Sequence, residues 1–231
     1  MSASSQINFD KPLQAVLLDL DGTLLDTAPE FYQIVSLMLE RHGNAPIAYA
    51  HFRQSVSDGA RGMVKAAFRC DENAPQFEPL RKEFLALYAR HLAEHTQLFP
   101  GMAETLQFIE SKNLQWGVIT NKPNAFAEPL LQLLNLLSRC AVLICPDHVH
   151  ERKPHPEALY LACKQIGCAV SEAIYIGDHR RDIESARNAG MVSIACSYGY
   201  VHADDPCENW GADFIADEPQ QIISILQNWI S

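Results

Sequence analysis

Apolar positions along this chain follow two alternating rhythms. Short unbroken runs such as Ala15-Val16-Leu17-Leu18, Trp116-Gly117-Val118-Ile119 and Ala173-Ile174-Tyr175-Ile176 have the continuous hydrophobicity of strands covered on both faces. Between them lie longer stretches whose apolar residues recur at three- and four-residue spacing, as in helices with one inward face. The pattern predicts strands over 14–20, 115–120, 141–144, 173–176, 191–196 and 213–216. It predicts helices from 28 to Arg41, halted by Gly43-Asn44, and over 102–112, 124–137, 156–166, 181–189 and 219–230. At the first helix start, Thr27-Ala28-Pro29-Glu30 has the form of a capping box, in which the two outer side chains satisfy each other's amides.

Strands alternating with helices predict an α/β fold, a doubly wound, Rossmann-like parallel sheet. One region breaks the alternation. From 46 to 95 the segments 46–57, 60–69 and 77–95 all read as helical, with no convincing strand among them. They predict an inserted α-helical cap. The expected division is a core of residues 1–23 and 97–231 with a cap of residues 24–96, hinged near 23–27 and 96–100.

Composition narrows the function classes. The 231 residues are 48% hydrophobic, enough for a substantial core, and carry a net charge of −10, which argues against a nucleic-acid partner. No stretch approaches the roughly 18 uncharged apolar residues that a membrane helix needs. Met1–Asp10 is polar and lacks the basic start and apolar run of a signal peptide. The seven cysteines are odd in number and form no Cys-x-x-Cys pair, as expected for reduced thiols in a cytoplasmic protein. In a chain this acidic, an anionic substrate needs a metal or a few well-placed cations.

Candidate chemistry clusters where strands end, the place where open parallel sheets bind ligands. Asp19 and Asp21 alternate along the first strand and so face one side. Their mutual repulsion calls for a cation or a shared proton. Taken alone, the stretch also fits an Asp-Gly turn or one arm of a calcium loop. A calcium loop needs its further ligands within the next dozen residues, and a helix start stands there instead. Thr120-Asn121, Lys153, and Gly177-Asp178 with Asp182 follow other strands. His148-x-His150 has the spacing of a metal pair but reads as an ordinary loop, and Lys122 and Arg180 read either as entrance residues or as solvated charges.

The set Asp19-x-Asp21-Gly22-Thr23, Thr120-Asn121, Lys153-Pro154 and Gly177-Asp178-x-x-x-Asp182, in that order, resembles the haloacid dehalogenase superfamily from about residue 13 to the end. Within it the chain is similar to phosphoglycolate phosphatases. Trp116-Gly117-Val118-Ile119-Thr120-Asn121-Lys122-Pro123 and Leu143-Ile144-Cys145-Pro146-Asp147-His148 bring it especially close to the bacterial N-acetylmuramic acid 6-phosphate phosphatases of peptidoglycan recycling. The resemblance implies a Mg²⁺-dependent phosphomonoester hydrolase. Asp19 is then the nucleophile and Asp21 the general acid and base. Thr120, Asn121 and Lys153 bind phosphate. Asp19, the Asp21 carbonyl and Asp178 hold the metal, and Asp182 supports them. Asp21 favours ester chemistry over dehalogenation, because a leaving alcohol needs a proton. Arg61 is the expected grip on a substrate carboxylate, against an equal reading as an exposed helix-start charge. N-acetylmuramic acid 6-phosphate is the expected substrate and 2-phosphoglycolate the alternative. A sugar phosphomutase and a non-catalytic binding protein on the same fold stay open. The partner is a small phosphate ester, with the protein a monomer or homodimer and no nucleic acid or membrane involved.

Overall fold

The computed structural model describes residues 11–230, so the polar Met1–Asp10 segment lies outside it. Strand β1 (Ala15–Leu18) forms the middle of a six-stranded parallel sheet. Strands β4 (Gln115–Ile119) and β6 (Ala173–Gly177) flank it, with Leu17 opposite both Gly117 and Tyr175. Beyond β4 lies β5 (Val142–Ile144), and beyond β6 lie β7 (Val192–Cys196) and β8 (Phe214–Ala216). The chain therefore leaves β1 towards both sides of the sheet, and a crevice opens at the carboxyl end of β1.

The two-residue period of β1 divides the core. Val16 and Leu18 pack into a cluster with Leu106 and Ile109 of α5 (Met102–Ser111), Leu130 of α6 (Asn124–Leu133) and Leu226 of α9 (Pro219–Ile230). Ala15 and Leu17 face the other way, onto Leu159 and Ala162 of α7 (Glu157–Ile166) and Ala186 of α8 (Arg180–Ala189). Covering on both faces explains why the strands are apolar throughout rather than alternating.

Helices α1 (Ala28–Arg41), α2 (Tyr49–Gln54), α3 (Gly59–Phe68) and α4 (Phe77–Arg90) pack on one another between β1 and the return of the chain. Two short strands, unseen in the sequence, cross where this helical segment departs and returns. β2 (Leu25–Asp26) pairs antiparallel with β3 (Gln97–Leu98), Leu25 opposite Leu98. Two residues are too few to display a hydrophobic period. Two helices also stop short of the predicted 95 and 137. Ala93 and Asn135, just past their ends, have φ of 68° and 57°, a left-handed geometry in which a helix does not continue.

The capping box does not form. Thr27 makes no side-chain cap hydrogen bond, its Oγ1 is buried without a partner, and the Glu30 carboxylate instead accepts from the His95 amide at 3.1 Å. The tertiary structure supplies the cap. The buried Tyr200 hydroxyl accepts from the Thr27 and Ala28 amides at 2.6 and 2.9 Å and donates to Asp26 Oδ1 at 2.8 Å. Orphan helix-end amides need an acceptor of some kind, and a residue distant in sequence took the role.

Candidate active site

The β1 ladder continues one residue past the strand, where the Asp19 amide donates to the Ile176 carbonyl at 2.8 Å. The chain then turns at Gly22, whose φ of 91° is a region that side chains with a Cβ disfavour. A Cβ at Gly22 would also fall inside the carboxylate of Asp178. The tight turn therefore sets Gly22 and Thr23 against Asp178 at the end of β6.

Lys153 stands at the centre, its side chain 1% exposed. Its Nζ lies 2.8 Å from Asp19 Oδ1, 2.7 Å from Asp182 Oδ1, 2.8 Å from the Tyr175 hydroxyl and 3.0 Å from the Ile119 carbonyl. Burial alone would lower the Lys153 pKa, but the charges of Asp182 and Asp19 outweigh it and hold the ammonium ionised. Burial pushes Asp19 up to about 7, with Lys153 restraining the rise. Burial, with the charge of Asp182, also raises Asp178. Asp182 is lowered, since Lys153 and then Arg181 overcome the effect of burial.

Asp178 is fully buried. Its Oδ1 accepts from Thr23 Oγ1 at 3.1 Å, and its Oδ2 from Ser57 Oγ at 3.0 Å and the Tyr200 amide at 2.9 Å. Carboxylate oxygens of Asp19, Asp178 and Asp182 lie within 4.8 Å of one another. Three buried carboxylates against one ammonium leave uncompensated negative charge, and the donors are all oxygen. That combination suits a hard divalent cation. Among the described residues this cluster includes no histidine. His148 Nδ1 accepts locally from the Cys145 amide at 3.1 Å, consistent with a loop role.

Asp21 is turned away from the acidic cluster. Both of its carboxylate oxygens accept from Lys122 Nζ, at 2.9 and 3.2 Å. Thr120, at the end of β4, is buried and its Oγ1 accepts from the Lys122 amide at 3.1 Å. Asn121 lines the same cavity, but its side-chain amide points to the Lys153 carbonyl at 3.4 Å.

The helical segment roofs these groups. Beside Asp19 lies a cavity of about 380 Å³, walled by Phe31, Met63, Phe84 and Tyr88 and floored by Asp21 and Thr120. Ser57 closes one side, with Arg181 donating to its carbonyl. Arg61 reaches the cavity only at its rim: its side chain is 62% exposed and donates to Glu72 at 2.7 Å. Of the two readings of Lys122 the structure favours the entrance residue, drawn inward onto Asp21, whereas Tyr175 and Ser57 carry no site signal in the sequence. Tyr175 looks like a core strand residue, and Ser57 like the polar end of a helical segment.

Comparison with known proteins agrees with this architecture. The family model described as haloacid dehalogenase-like hydrolase matches residues 16–196. The N-acetylmuramic acid 6-phosphate phosphatase of Pseudomonas aeruginosa is 50% identical over 214 residues, 93% of this chain and 95% of that protein. A phosphoglycolate phosphatase of Xanthomonas campestris is 44% identical over 209 residues, 90% of this chain and 94% of that one. A crystal structure described as a predicted phosphoglycolate phosphatase from Haemophilus somnus superposes with a TM-score of 0.82 at 23% identity, covering 94% of this chain and 99% of that one, and so shares the fold. Among the described residues no helix is long and apolar enough to cross a membrane. With its parallel sheet, its ordered acidic and cationic strand ends and these relatives, the chain belongs to the haloacid dehalogenase-like hydrolase family.

Proposed function

We propose that this chain is a Mg²⁺-dependent phosphomonoesterase that forms an aspartyl-phosphate on Asp19, with N-acetylmuramic acid 6-phosphate as its substrate. The observation that carries the reading is a roofed cavity of about 380 Å³, with aromatic walls, opening directly onto Asp19. A two-carbon acid such as phosphoglycolate leaves most of such a space unfilled, whereas an N-acetylated sugar brings apolar surface to those walls. The names of the 50% identical relatives favour the same substrate.

In this mechanism an Asp19 oxygen attacks phosphorus while the ester P–O bond breaks, and Asp21 gives its proton to the departing alkoxide. Asp21 then takes a proton from water, whose oxygen attacks the acylphosphate, freeing inorganic phosphate and restoring Asp19. Lys153, bonded to Asp19 Oδ1 at 2.8 Å, fixes the nucleophile's orientation. Thr120, Asn121 and Lys153 are the residues assigned to the phosphoryl oxygens, since fixed donors stabilise charge there without reorganising. Asp19, Asp178, Asp182 and the Asp21 carbonyl would hold Mg²⁺, which when bound neutralises the repulsion between carboxylate and phosphate. Residues 24–96 act as a cap on a core of 1–23 and 97–231, excluding water while chemistry proceeds. The reduced state of seven free cysteines fits a cytoplasmic setting.

Hydrolysis of 2-phosphoglycolate is the second reading, favoured by the 44% identical relative's name. Measuring kcat/KM for N-acetylmuramic acid 6-phosphate, 2-phosphoglycolate and β-glucose 1-phosphate tests both. The first should exceed the others by at least about tenfold, a difference of roughly 1.4 kcal/mol in transition-state binding. Equal values would overturn the sugar preference, and isomerisation of glucose phosphate without phosphate release would indicate a mutase. Asp19→Asn should remove turnover while leaving the thermal melt in place; near-normal activity in that variant defeats the nucleophile assignment.

A further inference from the structure

Lys122 is drawn deeper into the site than an entrance residue needs to be. It lies in the turn between β4 and α6, and its side chain is 7% exposed. Three elements enclose its ammonium: Asp21 accepts from it through both oxygens, Phe31 of α1 lies beneath it at 4.9 Å from the ring centre, and Tyr88 of α4 at 4.7 Å. The two rings are themselves packed, with centroids 4.7 Å apart, and Phe126 of α6 continues the stack 5.2 Å from Tyr88. A cation over aromatic faces is attracted to their electron-rich surfaces, more so when water is excluded.

We propose that Lys122 is a positioning residue that holds the Asp21 carboxylate in its working orientation only while helices α1 and α4 are seated over the core. The inference rests on the reading of Asp21 as the proton donor to the leaving group, a role in which one Asp21 oxygen carries the proton towards the alkoxide while the other keeps accepting from Lys122. While the rings cover it, Lys122 cannot leave Asp21 without becoming an unpaired charge away from water, so the ion pair is rigid. If α1 and α4 lift, the ammonium becomes hydrated, the pair turns into an exposed and weak one, and the orientation of Asp21 is released. Because the Thr120 hydroxyl accepts from the Lys122 amide, the same turn ties this arrangement to the expected phosphate-binding edge of β4. The rings thus make proton donation contingent on a closed roof, which restricts it to the moment when the cavity is dry.

The test exploits the leaving group. A sugar alkoxide needs a proton to depart, whereas p-nitrophenolate leaves without one, and kcat/KM reports the first irreversible step, in which departure occurs. Asp21→Asn sets the benchmark, with a large loss on N-acetylmuramic acid 6-phosphate and a small loss on p-nitrophenyl phosphate. Lys122→Met should reproduce the discrimination, losing about 10- to 100-fold on the sugar phosphate and less than about 3-fold on the nitrophenyl ester, a fraction of what general acid catalysis supplies. Lys122→Arg, which keeps the charge, should recover part of the loss. Tyr88→Leu, which leaves Lys122 in place but removes one wall, should shift the ratio in the same direction and provides the readout if Lys122→Met does not fold. Equal losses on both esters, or no loss on either, in a folded Lys122→Met overturn the proposal; so does an unchanged ratio in Tyr88→Leu. If Asp21→Asn itself shows no discrimination, the underlying reading of Asp21 fails and the proposal with it, an outcome distinct from failure of the lysine variants alone.

Discussion

The hydroxyl of Ser57 donates to Asp178 Oδ2 at 3.0 Å, joining two residues 121 positions apart. Ser57 precedes α3 in the helical roof, and Asp178 ends β6 in the sheet. The contact places a roof residue directly on a carboxylate of the acidic cluster, so the roof's position and the cluster's geometry are linked by one bond.

Ser57→Ala should therefore weaken Mg²⁺ more than it weakens the fold. Partners that orient a metal-binding carboxylate are typically worth about 10- to 100-fold in metal affinity. The lower end is expected here, because Asp178 keeps bonds from Thr23 and the Tyr200 amide. Stability should fall by about 1 kcal/mol, the net worth of one hydrogen bond. Activity titrated against Mg²⁺ reads the first effect and a denaturant melt the second; an unchanged half-saturating Mg²⁺ concentration would show that the bond does not organise Asp178.

Gly22→Ala attacks the same carboxylate from the other side. Its φ of 91° makes any Cβ costly, by about 1–2 kcal/mol, and the new methyl group occupies the place of the Asp178 carboxylate. Both effects act at once. The expected outcome is a protein that folds with reduced melting temperature and has lost nearly all turnover. Recovery of wild-type activity at saturating Mg²⁺ would mean that Asp178 is free to move without consequence.

The pH response of the Mg²⁺-free protein follows from Asp19. Burial, restrained by Lys153, raises its carboxyl from the ordinary 3.8 to about 7 in the folded chain. Between those values the folded protein keeps a proton that the unfolded chain has released, so unfolding releases protons and stability falls with rising pH. The contribution of Asp19 is thus present below about 4 and is lost as pH rises through about 7. Mg²⁺ held by Asp19, as proposed, would compete with that proton. The increase in melting temperature on adding Mg²⁺ to chelator-treated protein should therefore grow from pH 5.5 to pH 8. An increment that is flat over this range would remove Asp19 from the metal-binding set.

What the sequence determined by itself was whatever depends on local pattern. A strand covered on both faces must be apolar along its length, so β1, β4, β6 and β7 could be read within a residue or two, and the polar positions at their ends followed. The order of Asp19, Asp21, Thr120, Lys153 and Asp178 carried the family. Tertiary structure decided everything that one segment does to another. Thr27 and Glu30 have the local form of a cap, yet Tyr200 took the amides, because its buried hydroxyl, fixed by donating to Asp26, reaches both of them while Glu30 is drawn to the His95 amide. Arg61 turned to Glu72 at the rim instead of into the cavity. The sequence left Lys122 divided between entrance residue and solvated charge, because its partners arrive from residues 21, 31 and 88. Asp19 and Asp21 were legible as a pair needing cations. Only the fold divided those cations between them, because β1 ends at Leu18: Asp19 meets Lys153 between β4 and β6, and Asp21 meets Lys122 beneath α1 and α4.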